Sequence, residues 1–242
     1  VIDTFSIGVA DPTGDPNIVP GMNLDGFVSD GVDPEGCLHM DFTSPPPDNE
    51  PGVDNQLGPI FAAVGSSLDF DFRSAIASGE WLILLSLEDG PAGRVISLYR
   101  GTTLDGERPL LDGGRLAPGQ PFRVRERLGQ LVPEPGGART RAGPENIVFP
   151  FSPRSTSSIR FPHARLYGNF RPDGVRQGVL GGAYLVDQAV DELVALDPDV
   201  IPRALARSVL QAQADLDPTP SGECATVSAA YTFTAVPAVL EP

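Results

Sequence analysis

Lysine is missing from this chain altogether, so all 17 of its cationic side chains are arginine. The first 72 residues lack even arginine, yet they carry thirteen carboxylates between Asp3 and Asp71. The other 170 residues hold nineteen acids against seventeen arginines, so nearly all of the net charge of −15 lies in the N-terminal stretch. With no basic stripe to neutralise phosphates, the composition argues against nucleic acid as a partner. An anionic bilayer surface repels such a chain for the same reason. No apolar run approaches the length of a membrane span, and Trp81-Leu-Ile-Leu-Leu-Ser-Leu87 is only strand-sized. Nor is a secretory leader seen within this sequence. Val1 is not an initiator methionine, which fits a processed or trimmed product.

The machinery of several enzyme classes is also missing. There is no Gly-x-Ser-x-Gly elbow, no Gly-x-x-x-x-Gly-Lys loop and no Gly-x-Gly-x-x-Gly turn. Only two histidines are available as bases. His39 lies among acids that are expected to hold it charged. His163 follows Phe161-Pro162 at an expected strand start and reads as structural. Two cysteines and two histidines placed far apart argue against zinc.

What the chain does have is an acidic, glycine-punctuated loop between Asn23 and Asp41. Asn23, Asp25, Ser29, Asp30, Asp33 and Glu35 offer oxygen at short spacings, with Gly26, Gly31 and Gly36 free to turn. Hard cations such as Ca²⁺ take oxygen ligands of this kind, so a Ca²⁺ site is expected here, although the loop does not follow the EF-hand pattern. Asp48, Glu50 and Asp54 follow closely, and Asp215, Asp217 and Glu223 come within reach if the two cysteines pair. Cys37 and Cys224 each end an acidic Gly/Pro loop, Asp33-Pro-Glu35-Gly36-Cys37 and Asp217-Pro-Thr-Pro-Ser221-Gly222-Glu223-Cys224. That shared framing predicts a disulfide, hence an oxidising compartment.

Residues 1–56 read as an ordered, loop-rich acidic segment with one short strand near Thr4–Val9, and residues 57–242 as a sheet-and-helix core in the same single domain. Leu57, Ile60, Phe61 and Val64 recur at helical spacing, with Asp54 as the expected N-cap and Pro59 in the first turn. A second short helix is expected over Asp69–Ser78, stopping at Gly79. Trp81–Leu87 and Arg94–Arg100 read as an antiparallel hairpin, Phe122–Glu126 and Ile147–Phe151 as strands, and Arg171-Pro-Asp-Gly174 as a tight turn between two more. Helices are expected at Leu185–Leu196 and Ile201–Ala214. In Cys224–Val236 apolar and small residues at odd positions alternate with Thr226, Ser228, Thr232 and Thr234, the pattern of a half-buried strand. Strands and helices come in blocks, which predicts an α+β fold, mainly antiparallel sheet with a few covering helices.

Asn23-Leu-Asp-Gly-Phe-Val-Ser-Asp-Gly, Pro51-Gly-Val-Asp-Asn-Gln56 and Asp215-Leu-Asp-Pro with Gly222-Glu-Cys224 resemble segments of Asp/Gly-rich secreted proteins and lipoproteins of myxobacteria-like, GC-rich bacteria. The resemblance implies export and brings no activity, cofactor or catalytic residue with it. The expected function is that of a non-enzymatic binding or structural protein, periplasmic or extracellular, anchored at the outer membrane before processing or held in a cell-surface assembly through a protein or envelope partner. The enzymatic alternative is a metal-stabilised glycan hydrolase using paired carboxylates, which needs only two acids about 5–10 Å apart. A carrier of apolar ligand is the third class, and it requires a large internal cavity.

Overall fold

A computed structural model of the chain describes residues 1–11, 14–34, 37–62, 65–90, 93–135, 139–155, 157–196 and 201–241. In chain order come β1 (Ile2–Ile7), β2 (Phe42–Thr43), β3 (Pro51–Val53), α1 (Leu57–Ala62), α2 (Gly65–Ser78), β4 (Ile83–Gly90) and β5 (Gly93–Thr103). Next are β6 (Leu111–Asp112), β7 (Arg115–Leu116), β8 (Pro121–Leu131), β9 (Thr140–Phe149), β10 (Ile159–Arg171) and β11 (Gly174–Leu185). The chain ends with α3 (Val186–Leu196), α4 (Arg203–Gln211), β12 (Leu216–Pro218), β13 (Cys224–Ala235) and β14 (Val239–Glu241). Among the described residues strands account for 47% and four helices for 16%, so this is an α+β fold built mostly of antiparallel sheet.

The larger sheet runs β1-β13-β11-β10-β9, with short β12 on the flank of β13, and the smaller runs β14-β8-β5-β4. Every pairing in them is antiparallel except β14 on β8. The last long strand lies at the heart of the larger sheet, with the first strand and β11 on either side. Its odd positions explain why. Val227, Ala229, Tyr231, Phe233 and Ala235 all enter one core shared with residues of the smaller sheet. The centre of that core is aromatic: Phe5 lies 4.6 Å from Trp81, 4.8 Å from Tyr231 and 5.0 Å from Phe72 between ring centroids. Tyr184 and Tyr231 are buried completely and share a 3.0 Å hydrogen bond between their hydroxyls, so neither polar tip is left orphaned.

The opposite face of the larger sheet is covered too, by the acidic segment. Met22 and Leu24 pack on Val179, Ala183, Leu216 and Ala230 in a second, smaller cluster. Asn55, fully buried, fastens this layer: its Nδ2 donates to the carbonyls of Gly8 (2.6 Å) and Pro20 (2.9 Å), and its Oδ1 accepts from the Ala230 amide (3.1 Å). The Gln56 amide donates to Ser228 Oγ at 2.8 Å. The segment is therefore an outer layer strapped across a sheet rather than a solvated tail.

The hairpin of β4 and β5, the Arg171–Gly174 turn between β10 and β11, and the last strand stand as expected. Other elements differ. The strand expected from Trp81 begins at Ile83, and Trp81 and Leu82 are fully buried just ahead of it. Asp54 does not cap a helix: α1 starts at Leu57 and the Asp54 carboxylate accepts the Leu24 amide at 2.6 Å instead. Only the end of β9 was expected, because Arg141, Gly143, Pro144 and Glu145 disguise its first half. Pairing with β10 rescues these residues. Val64 lies outside the described residues.

Candidate functional site

The acidic loop is satisfied largely by its own backbone. Asn23 donates from Nδ2 to the Phe27 carbonyl (2.6 Å) and accepts the Gly26 amide on Oδ1 (2.5 Å). Asp25 accepts the Phe27 amide (2.8 Å), Ser29 Oγ the Gly31 amide (3.2 Å) and Asp30 the Val32 amide (3.1 Å). Asp33 takes part through its backbone carbonyl, which accepts the Leu38 amide at 3.1 Å. Glu35 lies outside the described residues. Short polar side chains that accept an amide two residues on make Asx- and Ser-type turns, so the close oxygen spacing is used here as turn chemistry. Among the described residues no three His, Cys, Asp or Glu side chains converge as a metal would require. Cys37 and Cys224 are bonded, with their α-carbons 6.1 Å apart, and tie this loop to the edge of β13.

The neighbouring acids divide by partner. Asp48 and Glu50, expected to join the loop, pair with Arg139 and Arg141 instead. Asp41, Asp54 and Asp215 feel one another electrostatically where the strap meets the larger sheet. Asp41 hydrogen-bonds Asp54, and its Oδ2 accepts the Ser29 amide at 2.6 Å. Asp54 is 2% exposed, and burial pushes its carboxyl up to about 9, with Asp215, Asp25 and Asp41 raising it further against the hydrogen bond from Leu24. Asp215 accepts the Ser228 amide and hydroxyl, yet its burial still pushes it up to about 7. Burial likewise raises Asp41. A proton therefore sits in the Asp41–Asp54 pair at neutral pH, donated from one carboxyl to the other.

Both histidines differ in surroundings. His39 was expected to be held charged by its acidic neighbours, but burial lowers its pKa. His163 Nε2 lies 2.9 Å from Asp217 Oδ1, and this partner raises the histidine and lowers the aspartate. Asp217 also accepts the Thr226 hydroxyl at 2.9 Å. His163 and Asp217 both take left-handed backbone conformations, φ 55° and 57°, uncommon for such residues.

One groove was not anticipated from the sequence. A pocket of about 340 Å³ opens on the outer face of the larger sheet, walled by Pro45, Pro46 and Pro47 of the strap. Its floor comes from β1, β11 and β13, and Arg139 and Tyr167 close one side. Arg139 pairs with Asp48 while its guanidinium carbon stands 5.7 Å from the centre of the Tyr167 ring. These two charged side chains are only 19% and 22% exposed, so the pair is held in place rather than waving in water. Residues 48, 139 and 167 carry no local signal of their meeting. A wider cavity of about 660 Å³ lies near the other end of the sheet, with Arg127, Arg160 and Asp217 in its wall.

No family model matches the chain, and no curated protein or solved structure matches it.

Proposed function

We propose that this is an exported, non-enzymatic binding protein that holds a small ligand in the groove between the proline-walled strap and the outer face of the larger sheet. The observation that carries the reading is the preset Arg139–Asp48 pair, partly buried and braced on Tyr167, at the side of a pocket of ligand size. Export is supported by the disulfide, which persists in oxidising compartments, and by the resemblance to secreted bacterial proteins. Among the described residues no helix is long and apolar enough to cross a membrane. A lasting attachment to an envelope partner is compatible with the same surface.

The inventory of bases supports a non-catalytic role. His163 is engaged with Asp217, and both cysteines are consumed in the disulfide. The hydrolase alternative asks for two carboxyls about 5–10 Å apart across an open cleft. Asp41 and Asp54 are in direct hydrogen bond, and Asp54 is sealed from solvent.

A weak Ca²⁺ site at the loop belongs to the proposal. Asp25 and Asp30 are exposed and each spends one oxygen on an amide, leaving the other to water. Affinity at the weak end of extracellular calcium modules, about 10⁻⁴–10⁻³ M, suits a loop whose ligands must first turn from their own amides. Millimolar Ca²⁺ at fixed ionic strength is expected to raise the melting midpoint, an effect lost in Asp25→Ala and Asp30→Ala. An unchanged midpoint removes the metal from the reading.

For the groove, the test is ligand-observed NMR over a mixed panel of saccharides, amino acids and short peptides, with wild type and the double variant Arg139→Ala/Asp48→Ala. Binding to wild type that disappears in the variant is expected. If nothing in the panel binds, or the variant binds equally well, the proposal fails. Turnover of ester, peptide or glycan substrates that vanishes in His163→Ala would overturn the non-enzymatic part.

A further inference from the structure

Three polar groups facing the groove have no hydrogen-bond partner among the described residues: the Tyr167 hydroxyl, the Thr232 hydroxyl and the Gln177 amide nitrogen. None is a sealed atom. Among the described residues, the completely buried side-chain polar atoms without a partner are Trp81 Nε1 and Arg165 Nε. The three come from neighbouring strands, Tyr167 on β10, Gln177 on β11 and Thr232 on β13. Gln177 is set by a left-handed residue at φ 52°, beside the irregular register between Val175 and Gly178, where the strand is re-aimed. Facing these donors are apolar surfaces: the proline wall on one side and Val179, which belongs to the outer-face cluster, on the other. One wall is thus apolar and the floor carries hydrogen-bonding groups.

Charge narrows the occupant further. Asp48 is neutralised by Arg139, so the groove offers no spare carboxylate for a cationic ligand. The strap overhead belongs to the segment with thirteen carboxylates and no base, and its field opposes anions. An uncharged molecule with hydroxyls around its edge and an apolar C–H face meets both requirements. That is the chemistry of a pyranose ring. Resting on the binding role proposed above, we infer that the groove is a subsite for an uncharged glycan. The sugar lays its C–H face on the proline wall of Pro45, Pro46 and Pro47. Its hydroxyls are hydrogen-bonded by Tyr167, Gln177, Thr232 and the outward edges of the Arg139–Asp48 pair. The mixed donor and acceptor set suits a hydroxyl, which both gives and takes a hydrogen bond.

The experiment is a titration of wild type with neutral oligosaccharides of gluco, galacto, manno and N-acetylhexosamine type, followed by ¹H–¹⁵N NMR and by calorimetry. Uronate and sulfated oligosaccharides, free amino acids and dipeptides are run in parallel. Expected is saturable binding of at least one neutral glycan, with shifts centred on Gln177, Gly178 and Thr232. Thr232→Val and Tyr167→Phe each delete one hydroxyl with little change of shape. Each is expected to weaken that binding about tenfold, the effect of one lost hydrogen bond. Their ¹H–¹⁵N spectra serve as the check that the fold is unchanged. If only a charged sugar or a peptide binds at these residues, the glycan assignment is overturned while the binding role stands. Neutral glycan binding that neither variant weakens places the sugar elsewhere and overturns the subsite. If no compound of any class perturbs the groove, both the subsite and the binding role fall.

Discussion

Asn55 shows how much one buried amide can hold. It bridges the carbonyls of Gly8 and Pro20 and the amide of Ala230, joining the first strand, the strap and the last strand at one point. Removing it deprives three backbone groups of their partner, and each such group left buried and unpaired costs about 1–3 kcal/mol. Asn55→Ala is therefore expected to lower stability by roughly 3 kcal/mol or more. In thermal unfolding a loss of that size lowers the midpoint by several degrees, since about 1 kcal/mol corresponds to 2–4 °C for a chain of this length. A midpoint within a degree of wild type would show that the layer is held by something else. Gly182 is a second sensitive position, for a steric reason: a Cβ there would run into the Phe161 ring, itself packed on Tyr184 and Phe149. Gly182→Ala is expected to destabilise by about 1–3 kcal/mol, the usual range for over-packing. The control is Gly106→Ala, where the added Cβ meets nothing within 4 Å. That site is left with only the strain of its left-handed backbone, φ 70°.

At the scale of the element, the strap is pinned by protons as well as by a disulfide. The folded carboxyl of Asp54 sits at about 9 and that of Asp215 at about 7, whereas in the unfolded chain both titrate near 4. Groups raised on folding favour the native state fully below the unfolded value, and that advantage drains away as pH rises through the folded value. Between about pH 4 and 7 the native state binds protons on both groups that the unfolded state has released. Stability is thus expected to fall steadily from pH 4 toward pH 9, by up to about 1.4 kcal/mol per unit for each proton. Asp54→Asn, which keeps the shape and removes the titration, is expected to flatten the upper part of the profile. Urea unfolding at several pH values measures both, and a wild-type profile flat above pH 6 would contradict the account. His163 adds a smaller change of the same sign, being raised by Asp217. Asp217, which is lowered, works in the opposite sense at acid pH. Reduction of Cys37–Cys224 releases a crosslink spanning 187 residues of sequence. In the chain-entropy view this costs about 3–5 kcal/mol, so reductant is expected to lower the melting midpoint clearly. Equal midpoints with and without reductant would show that the strap is held without the bond.

Over the whole molecule, the acidic and basic side chains come to terms unevenly. Arginines of the later strands reach back to neutralise parts of the early segment, as in Arg115 with Asp3, Arg139 with Asp48, Arg141 with Glu50 and Arg154 with Asp71. Asp25 and Asp30 remain exposed in the loop with no ion pair among the described residues. Repulsion among the exposed carboxylates of this acidic segment is screened by salt. Raising NaCl from low to physiological concentration is therefore expected to raise the melting midpoint, by an increment that shrinks in Asp25→Asn/Asp30→Asn. A midpoint that falls with added salt would mean that the surface ion pairs outweigh the repulsion in the loop.

Much of this architecture is written locally. The period-two pattern of Cys224–Ala235, the turn at Arg171–Gly174 and the apolar run after Trp81 each depend on neighbours along the chain, so composition and spacing were enough to determine antiparallel sheet with a few helices. The matching loops of Cys37 and Cys224 likewise revealed their pairing. The fate of each carboxylate was decided only by tertiary structure. Asp30 and Asp54 look alike in sequence, one residue in a run of acids, yet one is exposed and the other 2% exposed and protonated at neutral pH. The first half of β9 and the meeting of Asp48, Arg139 and Tyr167 were hidden for the same reason. A side chain's solvation and its partners are set by whatever the fold brings against it from tens or hundreds of residues away, and no local periodicity encodes that distance.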